Sequence, residues 1–174
     1  VIGPLGKAMR GTHDQPFADG SNLGVLRCAL SLGQLLRSSD EAVAQEASDI
    51  LMDVALRPGY ADDLRLVTLY ELASETPEAM VDVLELILVQ PDNADVQLTA
   101  TVLAAALPRE HSGAMEIILC GAYQPGRSPE LQEAYAHSLM SLGGDGVRAT
   151  LALIQNENVV GVTTDDAILD FLDS

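Results

Sequence analysis

The chain has 174 residues, 48% of them apolar, with no Trp, two Phe, two Cys and a formal net charge of −17. That apolar content is ample for a packed core without metals or disulfides, and it excludes a disordered class. The charge excludes nonspecific nucleic-acid binding, which needs cations set against phosphates, and it disfavours an anionic membrane surface.

The acid is unevenly placed. Residues 41–95 carry thirteen acidic groups against Arg57 and Arg65, whereas residues 1–40 carry three acidic and four basic groups. Leu and Ala dominate the apolar content, and both are strong helix formers, so the composition favours an all-α protein. No apolar run approaches the roughly 18 residues that insertion across a membrane needs. Cys28 and Cys120 sit in apolar helical stretches and are expected as reduced core thiols, which points to a cytoplasmic protein.

In chain order, residues 1–21 hold Gly3, Pro4, Gly6, Gly11, Pro16 and Gly20 and are expected as an irregular lead-in. A single helical-repeat domain then fills 22–174. Its first helix runs from Ser21 or Asn22 to about Arg37. The second follows a cap at Ser39 or Asp40 and stops at Pro58-Gly59, with Val43, Ala47, Ile50, Leu51 and Val54 on one face. The third covers Asp62 to Ser74, and Pro77 opens a fourth that ends at Pro91, because proline suits a helix start and not its interior.

The fifth starts near Asp95 and places Val96, Ala100, Leu103, Ala104 and Leu107 on one face. Those positions match the second helix with a constant shift of 53. Further helices are expected over Ser112–Ala122, Pro129–Leu142, Val147–Ile154 and Asp165–Leu172. The connections are short, so successive helices are antiparallel neighbours. An acidic residue followed by Val or Leu opens the helices at Val43, Leu64, Val96 and Leu131, which lie 21, 32 and 35 positions apart.

The stretch from Glu78 to Leu88, then Pro91-Asp92-Asn93-Ala94-Asp95-Val96, then Ala104-Ala105-Ala106-Leu107, resembles a HEAT-type repeat. That family pairs a Leu-rich first helix with an Asp-containing turn and Val, usually followed by Arg, at the start of an Ala-rich second helix. The position after Val or Leu holds Arg65, Gln97 and Gln132 here, so one instance keeps the basic residue. Weaker copies carry the resemblance over roughly residues 40–172. It implies about nine helices stacked as antiparallel pairs in a right-handed α-solenoid, an architecture that serves as a surface for partners.

No catalytic, cofactor-binding or metal constellation emerges from the sequence. His13, His111 and His137 form no His-x-x-x-His or Glu-x-x-His pair, and neither Cys has a metal-ligand spacing. His111, in a turn after Glu110, is expected to be solvated or to cap a helix locally. His137 is expected to border the packing interface. Gly143-Gly144-Asp145-Gly146 lacks the strand before it and the Gly-Lys after it that a phosphate loop requires, and it is expected as a helix stop. Asp62-Asp63 and Asp165-Asp166 suit the positive ends of helix dipoles.

Two features point to partners. Glu78, Asp82 and Glu85 fall at i, i+4 and i+7, with Glu71 and Glu75 just before them and no basic residue nearby in sequence. This acid is the expected contact for a basic protein. The tail over 165–173 mixes acid with Ile168, Leu169, Phe171 and Leu172, and suits either a terminal cap or a docking peptide.

The function expected from the sequence is a noncatalytic protein-interaction module (an adaptor, scaffold or regulatory subunit) without a cofactor. It would bind a protein partner and is open to homo-oligomerisation. The alternatives are a small acidic chaperone for an exported or unstable client and an enzyme subunit built on a helical scaffold.

Overall fold

The computed structural model describes residues 2–11, 22–89, 93–123, 128–144 and 146–150. These form α1 (Ile2–Arg10), α2 (Asn22–Leu35), α3 (Glu41–Leu56), α4 (Asp62–Glu75), α5 (Pro77–Val89), α6 (Ala94–Ala106), α7 (Ser112–Ala122) and α8 (Pro129–Ser141). A short 3-10 turn over Arg109–His111 leads into α7, and residues 146–150 are helical again. No strand occurs among the described residues, so the all-α class holds. No helix among them is long and apolar enough to cross a membrane.

Local chemistry explains the boundaries. The Asp40 carboxylate accepts from the N–H groups of Ala42 and Val43 at the start of α3. Asn93 Oδ1 accepts from Asp95 N–H at 2.8 Å, and Ser128 Oγ accepts from Leu131 N–H at 3.3 Å. Each cap pairs a donor that the helix itself leaves unmatched. Pro77 opens α5, where a missing N–H costs nothing. Asp62 and Asp63 lie in the first turn of α4, as the dipole favours. Gly143, at φ +111°, ends α8 in a conformation that L side chains rarely adopt.

The expected irregular lead-in is corrected over residues 2–10, which form α1. Pro4 falls in its first turn, where the helix tolerates it. Ile2, Gly6 and Met9 point inward at i, i+4 and i+7. Gly6 lets α1 approach α3 closely, because a Cβ there would overlap the Ile50 side chain. The glycine that suggested a break is a contact surface.

The packing follows one rule. Each helix rests on its successor and on the helix after that: α1 on α2 and α3, α2 on α3 and α4, and so on to α8. The result is two layers, one of α1, α3, α5 and α7, the other of α2, α4, α6 and α8. The core lies between them and includes Leu51, Leu64, Leu72, Leu84, Val96 and Leu119, all fully buried.

The layers separate the helices that the sequence matched. The 53-residue match joins α3 to α6, which belong to opposite layers, so it reflects a shared amphipathic spacing and not a repeat. The 32- and 35-residue steps stay within one layer: Leu64, Val96 and Leu131 open α4, α6 and α8 and are all buried.

A polar contact repeats with the 32-residue step. Arg65 Nε donates to Ala55 O at 3.1 Å, and Gln97 Nε2 donates to Ile87 O at 3.5 Å. Ala55 and Ile87 each lie in the last turn of the preceding helix, where carbonyls lack intrahelical partners. Arg65 is 1% exposed and also faces Asp62 at 3.8 Å, an ion pair within the turn-to-helix segment. At Arg65 and Gln97 the position after Leu or Val is therefore a donor to the neighbouring helix end. A neutral amide takes that place in the second hairpin, at a longer distance than the guanidinium.

Candidate functional site

The expected acidic cluster divides when its residues are placed. Glu71 and Glu75 belong to α4 and face α2. Arg37, just beyond the end of α2, donates from both Nε and Nη2 to the two carboxylate oxygens of Glu75. The hydrogen bonds from Arg37 hold the Glu75 carboxyl below its ordinary value, and Ser74 Oγ donates to it as well. No basic residue lies near this acid in sequence, and the counter-charge for Glu75 comes from 38 positions away.

Glu71 is half-buried against Gly33 of α2, so closely that a Cβ at Gly33 would overlap its carboxylate. Burial raises the Glu71 carboxyl above its ordinary value, and the Glu75 charge adds to that. These two residues bind one helix to another within the stack.

Glu78, Asp82 and Glu85 are exposed along α5. Leu86 and Val89 are exposed on the same helix, and Ile117 of α7 is 75% exposed. The stripe is exposed acid on α5, a helix that also exposes Leu86 and Val89. The tail residues Ile168, Leu169, Phe171 and Leu172, with Asp165 and Asp166, lie outside the described residues, as does His13.

His111 departs from expectation. Its side chain is 17% exposed and makes no capping bond to α7, so it is neither solvated nor a cap. Folding brings it, with Glu110, to Glu78 at the head of α5. The sequence separation of more than thirty residues hides that meeting. His137, on α8, stands 3.6 Å from Glu133 and is about half exposed. Cys28 and Cys120 are free and partly buried against the core. Burial, and then the Glu116 charge, push the Cys120 thiol up, which leaves it a weak nucleophile.

A groove that sequence reasoning missed runs between α6 and α8, with a volume of 590 Å³. Leu98, Val102 and Ala105 of α6 and Ala134 of α8 give it an apolar lining. Glu130, Glu133 and His137 of α8 supply polar groups. Val102 is half exposed there. Ser138 Oγ, at the same contact, donates to Thr101 O at 2.9 Å and ties the two helices together. The only trace in the sequence is Val102, an apolar residue on the outer side of a helix whose inner face is already complete.

The arrangement offers apolar contact and carboxylate acceptors. Among the described residues, the groove's lining brings together no nucleophile, base and orienting group. The chain matches no family model, no curated protein and no solved structure.

Proposed function

We propose that this chain is a noncatalytic protein-interaction module, a divergent right-handed HEAT-type solenoid whose partner presents a basic amphipathic segment. The single observation that carries the proposal is the groove between α6 and α8, where apolar side chains lie beside Glu130 and Glu133. A helix or extended segment with an apolar face and flanking Lys or Arg matches both parts: apolar burial supplies affinity and the carboxylates orient the ligand. The net charge of −17 steers such a partner from a distance. The two-layer packing, the 32- and 35-residue steps and the repeated donor at Arg65 and Gln97 support the HEAT resemblance.

A fluorescein-labelled amphipathic Lys/Leu helix is the probe, followed by anisotropy at low and physiological salt. Val102→Asp, and separately the pair Glu130→Lys and Glu133→Lys, should each weaken binding at least about tenfold. Reversing Glu78, Asp82 and Glu85 to Lys tests the stripe on α5 in the same assay. Loss confined to that reversal would move the contact to the opposite layer. Binding that none of the variants alters would reject the proposal.

A further inference from the structure

Arg37 and Glu75 link the turn between α2 and α3 to the end of α4. The next link along this edge has different chemistry. Glu78, in the first turn of α5, meets Glu110 and His111 of the 3-10 turn that precedes α7. One ligating atom from each of the three lies within 4.8 Å of the others. Two carboxylate oxygens at that range repel each other, and no Arg or Lys ion pair is formed by either carboxylate among the described residues.

The imidazole supplies an independent sign of a missing partner. His111 Nε2 is shut off from solvent and has no hydrogen-bond partner among the described residues. Glu110 Oε1 stands 3.7 Å from it, too far for a hydrogen bond. A ring nitrogen buried in that state has lost water without replacement.

We propose that Glu78, Glu110 and His111 form a binding site for a first-row divalent cation of the zinc type. Imidazole nitrogen with carboxylate oxygen is a donor set for such ions, whereas calcium and magnesium favour all-oxygen shells. Ligand atoms around a tetrahedral ion at about 2.1 Å stand about 3.4 Å apart. Glu78 and Glu110 are exposed and free to rotate the remaining distance inward. Three protein ligands leave a position for water. The cation would pin the head of α5 to the turn before α7, and so fix two successive odd-layer helices at one end. The site is separate from the groove between α6 and α8 and does not depend on its role.

The test uses the full chain, stripped with chelator and titrated with Co²⁺ and Zn²⁺ by calorimetry, with Co²⁺ absorption as a second readout. One equivalent should bind. Glu78→Gln, Glu110→Gln and His111→Ala should each weaken binding at least about tenfold, while far-UV circular dichroism stays unchanged. Zn²⁺ should raise the Tm of the parent chain and not that of His111→Ala. Absence of saturable binding would overturn the site. Binding that survives in Glu78→Gln and His111→Ala, or is lost only in His137→Ala or Cys120→Ser, would overturn it too. Glu78→Gln and Glu110→Gln alter exposed positions, so the conclusion does not hang on the fold of the histidine variant.

Discussion

The hairpins α3–α4 and α5–α6 meet the same requirement with different side chains. Each must supply a donor to a carbonyl in the last turn of its first helix. Arg65 does so for Ala55, and Gln97 does so for Ile87. The lesson is that the two hairpins share a geometry, a side-chain donor that reaches the end of the preceding helix, while only one of the donors is charged. Arg65 adds the Asp62 contact and a longer buried stem, so the earlier hairpin should depend more heavily on its donor.

That comparison sets the order of expected effects. Arg65→Ala should cost about 3 kcal/mol in urea unfolding, since it orphans Ala55 O and leaves a cavity where a buried side chain stood. Gln97→Ala, whose bond is longer, should cost about 1 kcal/mol. Equal losses would show that charge and stem add nothing. Arg65→Gln should fall between the two; a loss as large as that of Arg65→Ala would break the equivalence of the hairpins.

The next effect concerns the approach of α2 to α4. Gly33→Ala overlaps the Glu71 carboxylate and should destabilise by about 1 kcal/mol. In a Glu71→Ala background the sign should reverse, because alanine is the better helix former by about 1 kcal/mol. Thermal melts of the four chains complete the cycle. Failure of the sign to change would mean that the contact does not limit the packing.

The smallest effect is pH dependence. Glu75 has its folded pKa lowered, so its contribution is present above the ordinary value of 4.5 and is lost as pH falls through the folded value. Glu71 has its folded pKa raised, so its contribution is present below the ordinary value and is lost as pH rises through the folded one. The two act in adjacent windows, Glu71 above 4.5 and Glu75 below it. Glu71→Gln should therefore remove a gain of stability as pH falls toward 4.5, and Glu75→Gln should flatten the loss below it, as read from urea midpoints across the range. An unchanged loss below 4.5 in Glu75→Gln would contradict the ion pair with Arg37.

Much of the fold was legible because helix ends carry local chemistry. Pro77, Asp40 and the Gly143 stop mark boundaries within a residue or two of where they fall. Residues 2–10 misled because Gly6 has a tertiary reason to be glycine, and no local rule conveys contact with Ile50. The 53-residue match misled because any amphipathic helix of this stack spaces its apolar residues alike. Arg65 and Gln97 differ in charge, so residue type alone hides that both donate to the end of the preceding helix. The acidic stripe was legible as periodicity. The pairing of Glu75 with Arg37, the groove beside Val102 and the meeting of His111 with Glu78 depend on which helices become neighbours, and the spacing within one helix carries nothing about that.

The layering has a mechanical consequence. Since each helix rests only on its next two successors, no substantial contact clamps the first described helix to the last. Tension applied between α1 and α8 meets no single bond set that bears the whole load. The chain would yield hairpin by hairpin in an optical trap, with a sawtooth of small steps, and would rewind as readily when slack returns. Stiffness in such a molecule belongs to each turn separately, so a cation seated between two turns would act as a brake on one step of the sequence.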